Sequence, residues 1–188
     1  MFFSSRKSNY IYSLNNDSLK AIGSDVNLLD SYLEYNKFVA DLIDNQIVLE
    51  MIDYIQHGKT SCYQHCINVS YYSYKLAKKL NLDAKSVARA ALLHDLFLYD
   101  WHKAEKQPLF KKHGFTHPKK ALLNANKYFL LNEKEKDIIL KHMWPLTLVP
   151  PKYKESYIVV LIDKYCCLVE TLYPKLYKLF SFKKISYL

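Results

Sequence analysis

Apolar residues recur at spacings of three and four along most of this chain, a period that predicts a succession of amphipathic helices. Residues 1–23 are polar and aromatic without periodicity and read as a loosely attached N-terminal segment. From Ser24 to Gln56 the helical period sets in. Leu28, Leu29, Tyr32 and Leu33 form one set, Val39, Leu42, Ile43, Ile47, Met51 and Tyr54 a second, and Gly58 closes the stretch. Thr60 or Ser61 caps the next helix, whose inward stripe is Cys62, His65, Val69, Tyr72, Leu76 and Leu80. Asp83 caps a short helix through Val87, Ala90, Ala91 and Leu93 that ends on His94 and Asp95. Between Phe97 and Thr116 the pattern breaks, with Pro108 and Gly114 as punctuation, and a loop is expected. His117 and Pro118 open another helix with Ala121, Leu122, Ala125, Tyr128 and Phe129 inside. Asn132 with Glu135 three residues on matches a capping box, and that helix runs through Ile138 and Ile139 to His142 before Pro145 stops it. After a second break at Pro150-Pro151, a last helix from Glu155 to about Leu172 buries Val159, Ile162, Cys166 and Val169.

Six polar residues fall on or beside these apolar faces: His65, His94, Asp95, His117, His142 and Asp163. Burying such groups costs several kcal/mol each unless something compensates them, and a metal ion does so. Each interval between them fits one helix plus a connection, so a helical bundle can supply the ligands from successive helices. A lone buried His is more often a hydrogen-bonded core residue, but six such groups would each need a separate partner. Imidazoles and carboxylates suit a divalent ion, with Fe, Mn, Zn, Co and Mg all compatible. His65, His94, Asp95 and Asp163 suffice for one ion. Adding His117 and His142 gives enough ligands for two, with Asp95 as the natural bridge. His57, His102 and His113 lack an inward stripe and are expected on the surface, although His113, four residues before His117, is placed to reach a bound phosphate.

Composition narrows the class. With 50% hydrophobic and 24% charged residues the chain is globular, and 188 residues make one domain with a real core. Only 3 Gly argue against a turn-rich β-sandwich and against Gly-rich phosphate loops, so an all-α fold is the expectation. Within that single domain, residues 1–59 are assigned to an N-terminal segment and helices packing on the core, and residues 60–188 to the metal-binding core. The formal charge of +9, from 27 Lys+Arg against 18 Asp+Glu, favours anionic ligands and leaves nucleic acid open as a partner. A Lys-, Asn-, Tyr- and Ile-rich composition also follows from genome base composition, so the charge is permissive and not diagnostic. Cys62, Cys66, Cys166 and Cys167 show neither CxxC spacing nor disulfide density and read as reduced, buried and cytoplasmic. A rival site in which Cys62, His65 and Cys66 hold zinc as a thiolate cluster lacks the four closely spaced ligands such a site wants. No secretory pattern and no membrane-length apolar run occurs, so no membrane partner is expected.

The ordered set His65, His94-Asp95, His117, His142 and Asp163, spanning about residues 60 to 172, resembles the HD superfamily of metal-dependent phosphohydrolases. The resemblance implies an all-helical HD-fold core with His65, His94, Asp95 and Asp163 at one metal and His117 and His142 adding a second. That layout is similar to the two-metal branches, which include symmetrically cleaving diadenosine tetraphosphatases and cyclic-dinucleotide phosphodiesterases. Many members carry Gly-Lys shortly after His-Asp, whereas this chain reads Leu96-Phe97-Leu98-Tyr99-Asp100-Trp101. Phosphate binding then falls to other cations among Lys103, Lys119, Lys120, Lys141 and Lys164, with Lys164 beside Asp163 the first candidate and Lys120 also assigned to the substrate. Lys164 has the alternative of a solvated helix residue. Trp101 and Trp144 flank the ligands and are candidates to stack on a base, or else pack under the connecting loops. The expected function is hydrolysis of a small, nucleotide-like phosphate ester, with His94, Asp95 and Lys164 carrying the chemistry. Two alternatives stand beside it, a di-iron oxygenase of HD type and a non-catalytic nucleotide or metal sensor. Oligomeric state is left open.

Overall fold

The computed structural model describes residues 26–103, 108 and 112–185, with side chains placed for 30–103, 108 and 112–172. The expected N-terminal segment of residues 1–23 lies outside the described residues, as does part of the loop after Phe97. Two compact units divide between Lys37 and Phe38. Of the first, the described part is helical, the beginning of α1 (Val26–Ile43).

The second unit carries the remaining elements: α2 (Gln46–Leu49), a short 3-10 turn (Glu50–Asp53), strands β1 (Ile55–His57) and β2 (Thr60–Ser61), then α3 (Cys62–Lys79), α4 (Ala84–Leu93), α5 (His113–Tyr128), α6 (Glu133–Lys141) and α7 (Lys154–Ile185). Helix α3 packs against α4 and α7, α4 against α6, and α6 against α5 and α7. The all-α expectation holds apart from the small antiparallel hairpin. There the periodic stretch expected to run helically to Gln56 stops at Asp53, and Gln56 enters an extended strand. Gly58, at φ +59°, makes the turn, and a Cβ there would lie 3.2 Å from the Glu170 carbonyl of α7. Only a glycine takes both the left-handed backbone and that close approach without strain.

The expected caps form. Ser61 Oγ accepts from the Gln64 amide, the Asp83 carboxylate from the Ser86 amide, and Asn132 and Glu135 close a reciprocal capping box. Small residues let α3 and α4 approach closely enough for Ser70 Oγ to donate to the Ala88 carbonyl at 2.7 Å. Helix α4 is almost wholly buried through Val87, Ala88, Ala90, Ala91, Leu92 and Leu93, so the residues that follow it are delivered to the middle of the core.

Several details differ from the sequence pattern. On α3 the buried stripe is Cys62, Cys66, Val69, Ser73 and Ala77, which turns Tyr72 and Leu80 outward to 49% and 53% exposure. Helix α5 begins at His113 and not at His117, with Pro118 inside it. Gly114, read in the sequence as punctuation, lies in the first turn of this helix, and Pro118, its sixth residue, removes one backbone donor without ending the element. Tyr128 at the end of α5 is 42% exposed, and Phe129 lies just beyond the helix. Helix α7 continues to Ile185, past the expected end near Leu172, and Val169 on it is 41% exposed.

Candidate metal centre

Two of the predicted ligands sit at helix C-termini, where carbonyls lack intrahelical donors. His94 is the C-cap of α4 and His142 that of α6. Each ring bends back so that its Nδ1–H donates to the carbonyl three residues earlier, Ala91 at 2.7 Å and Ile139 at 2.9 Å. His117 on α5 does the same one turn back, donating to the His113 carbonyl at 2.8 Å. His65 on α3 instead points Nδ1 at Glu170 Oε2 of α7, 2.9 Å away. In all four rings Nδ1 is engaged outward and Nε2 is offered to a common centre, an orientation that second-layer hydrogen bonds impose on metal-ligating histidines.

The carboxylates meet those nitrogens. Asp163 Oδ1 lies 3.1 Å from His65 Nε2 and 3.7 Å from His94 Nε2. Asp95 Oδ2 lies 3.5 Å from His94 Nε2, while its Oδ1 is 3.2 Å from His117 Nε2 and 3.5 Å from His142 Nε2. All six residues are buried, none more than 8% exposed. The predicted ligand residues are therefore brought together, from α3, the turn after α4, α5, the end of α6, and α7.

The arrangement fits a cation. His94 Nε2 and Asp95 Oδ1 are buried without a hydrogen-bond partner. His117 Nε2 and His142 Nε2 stand 2.7 Å apart although both Nδ1 atoms donate to carbonyls, so in the neutral rings two lone pairs face each other. Burial, reinforced by the neighbouring His94 and His117, pushes the His142 imidazole down to about 3, so it is neutral at physiological pH and free to ligate. Burial also works against the Asp95 and Asp163 carboxylates, yet surrounding histidines, His94 and His117 for Asp95 and His65 and His94 for Asp163, hold both below the usual carboxylate range. Among the described residues, two groups offer ligand atoms within 4.8 Å of one another: His65, His94 and Asp163, and His94, Asp95 and His142. Neither contains a cysteine. Cys62 Sγ instead donates to the Asp95 carbonyl, Cys66 Sγ lies 3.7 Å from His94 Nδ1, and all four cysteines are unpaired.

A cavity of about 520 Å³ opens onto this centre, with Asp95, His117, His142 and Asp163 in its wall. Lys164 also lines it and donates from Nζ to the His142 carbonyl at 3.2 Å. Trp101 lines it too, but its ring is engaged: His113 stacks on it at 4.9 Å and 10°, and the adjacent His102 at 3.8 Å. His113 in turn stacks on His117 at 4.4 Å, with Nδ1 2.8 Å from the Tyr99 hydroxyl. Burial, with the neighbouring His117, lowers the His113 imidazole to about 3. Two other expected substrate contacts are placed elsewhere. Lys120 Nζ stands 4.2 Å over the Tyr99 ring, and Trp144 packs edge-on against Tyr157.

The expectation of surface positions for His57 and His113 is corrected: both are half-buried and line the cavity, His57 with its ring edge-on to His65 at 5.0 Å. The hairpin and the early start of α5 put them there. His102 is 46% exposed, as expected of a surface residue. Gln56, Glu170 and Asn68 also join the site without having been anticipated. Gln56 donates from Nε2 to Asp95 Oδ2, and Asn68 donates to Glu170 Oε1 at 2.9 Å. A signal existed for two of them, since Asn68 is one turn after His65 and Glu170 two turns after Asp163, on the same helix faces.

A family model described as HD domain matches residues 62–166, more than half of the chain. The chain belongs to the HD domain family. That family consists mostly of metal-dependent phosphohydrolases, and the matched segment carries every one of the six clustered residues. No curated protein and no solved structure matches the chain. Among the described residues, no helix of this HD protein is long and apolar enough to cross a membrane.

Proposed function

We propose that this HD protein is a phosphohydrolase or phosphodiesterase that cleaves a small, nucleotide-like phosphate ester at a one- or two-ion centre. The observation that carries the reading is the convergence of four Nε2 atoms and two carboxylates, with unpartnered buried atoms among them, on the wall of an open cavity. His65, His94, Asp95 and Asp163 would hold one ion, and His117 and His142 with Asp95 a second. A divalent ion bound there supplies Lewis acidity and hydroxide at neutral pH, the requirements of phosphoryl displacement.

The protein's own groups supply the rest. Asp95 turns one oxygen toward His94 and the other toward His117 and His142, the disposition of a bridging carboxylate. Lys164 and Lys112 line the same cavity and give a phosphate cationic partners where the Gly-Lys of other family members is missing. His113, held by Tyr99 and by stacking, presents its remaining ring nitrogen as a fixed polar contact. The stacked Trp101 gives the cavity a rigid aromatic wall beside which a nucleoside packs. Four unpaired cysteines support a reducing, cytoplasmic setting.

The test is turnover. Protein stripped by chelation and reloaded with Mn, Co, Zn, Fe or Mg is assayed against mononucleotides, dinucleoside polyphosphates and cyclic dinucleotides, with products resolved by chromatography. Hydrolysis is expected to vanish on chelation and in His94→Ala and Asp95→Ala. Full activity in both variants refutes the reading, tight nucleotide binding without turnover replaces it with a sensor, and oxygen consumption by iron-loaded protein replaces it with an oxygenase.

A further inference from the structure

Gln56 lines the cavity wall with its two polar ends in different settings. It is 6% exposed and reaches the centre from β1, outside the segment that the family model matches. Its Nε2 donates to Asp95 Oδ2, the oxygen nearest His94. Its Oε1 is buried with no hydrogen-bond partner in the protein. The reverse amide orientation would set Oε1 against the Asp95 carboxylate, so the donor end is committed to Asp95 and the acceptor end is left over. A buried, unsatisfied carbonyl on a cavity wall costs about as much as a lost hydrogen bond unless a molecule in the cavity donates to it. A fully ionised phosphate offers acceptors only, and Lys164 and Lys112 line the cavity as cationic partners for it. A donor to Oε1 therefore comes from another group, and a water molecule is the smallest that supplies one.

The hairpin that carries Gln56 is fastened in place. Gly58 meets the Glu170 carbonyl of α7, the Cys62 amide donates to the Tyr54 carbonyl at 2.7 Å, and the neighbouring His57 packs on His65. Gln56 therefore reaches, from a fixed backbone, the Asp95 oxygen that does not face His117 and His142.

We propose that Gln56 is a positioning residue of this centre: its amide N–H orients the Asp95 carboxylate, and its Oε1 accepts a hydrogen bond from a water molecule in the cavity, aiming that water's lone pair at the phosphorus. The second half rests on the phosphohydrolase reading, whereas the first needs only metal binding. Both ends are removed at nearly constant volume in Gln56→Met, and Gln56→Asn keeps the amide on a shorter stem that no longer spans the distance to Asp95.

Metal affinity is measured first, by Co or Mn titration of chelator-stripped protein against a competing chromophoric chelator, with melting curves of the stripped proteins to confirm folding. Both variants are expected to lose about 10–100-fold in affinity. At saturating metal, kcat on whichever ester the wild type hydrolyses is expected to fall about tenfold or more with KM nearly unchanged, because Oε1 touches water and not the ester. Wild-type affinity in a folded variant overturns the role toward Asp95, and wild-type kcat at metal saturation overturns the role toward water. Absence of any hydrolysis by the wild type would refute the proposed function and the water-aiming half while leaving the metal titration to decide the other half.

Discussion

Replacing Glu170 with Gln exchanges one oxygen for an amide at the point where the site is braced from behind. Glu170 accepts from His65 Nδ1 at 2.9 Å and from Asn68 Nδ2 at 2.9 Å, one donor on each carboxylate oxygen. Burial, the largest single influence, pushes this carboxyl up, but the hydrogen bonds from His65 and Asn68 and the charge interaction with His65 together outweigh it and hold the carboxyl below its ordinary value, so it is ionised at neutral pH. Glutamine has one acceptor oxygen, so only one of the two bonds survives, and it becomes neutral. A hydrogen bond to a charged group contributes about 1.5–3 kcal/mol and a neutral one about 0.5–1.5, so losing one bond and weakening the other costs roughly 2–5 kcal/mol. For a chain of this size each kcal/mol moves the melting temperature by about 2–4 °C, which gives a drop of roughly 4–20 °C in metal-free protein. Metal affinity should fall about 10–100-fold because the His65 ring exchanges the charged acceptor that orients Nε2 for a neutral amide or none. Differential scanning fluorimetry of stripped protein and chelator competition measure the two effects. A Glu170→Gln protein with unchanged melting and unchanged affinity would refute the view that this carboxylate sets the His65 ring.

Three further outcomes follow from the structure. Gly58→Ala places a Cβ 3.2 Å from the Glu170 carbonyl at a positive φ. The left-handed backbone alone costs roughly 1–2 kcal/mol, so melting should fall by about 2–8 °C, and a melting temperature equal to wild type would contradict the tight seating of the hairpin. Lys164→Ala removes a cavity cation and should raise KM about tenfold with a smaller effect on kcat, read from steady-state kinetics; an unchanged KM would remove Lys164 from phosphate binding. The Glu155 carboxylate, buried at the start of α7 and paired with Lys134 at 2.7 Å, is held below its ordinary value because that pairing and the local backbone amides outweigh burial. Its contribution is present above about pH 4.5 and lost as pH falls through the lowered value, so melting temperature should drop on acidification below that point, and less steeply in Glu155→Gln. Parallel acid profiles for the two proteins would contradict the assignment.

The ligand residues were legible because each is a polar side chain set on or beside an apolar helical stripe, an inconsistency that only a shared partner resolves. His94 and His142 were also legible as the last residues of their helices, since the apolar period stops on them. Helix caps at Ser61, Asp83 and Asn132 could be read for the same reason, being local chemistry within four residues. What depends on long-range contact was not legible. Gln56 belongs to no apolar stripe, and its strand exists because the Gly58 turn docks against α7, more than a hundred residues away in the chain. Tyr72 and Leu80 fit a helical stripe as well as Ser73 and Ala77 do, and only the close approach of α4 decides for the small side chains. Trp101 and Trp144 are alike in sequence context, yet the fold stacks one against His113 on the cavity wall and the other against Tyr157.

The central claim is that six side chains from five segments form a single centre that binds one or two cations. Titration of chelator-stripped protein with Mn or Co, followed by elemental analysis after desalting, measures it directly in wild type and in Asp95→Asn, which keeps the shape of the side chain. One or two equivalents per chain in the wild type, with loss of at least one equivalent or a large fall in affinity in Asp95→Asn, is the predicted result. Wild-type protein that retains no divalent ion, or an Asp95→Asn protein that retains as much as wild type with the same affinity, would contradict the account.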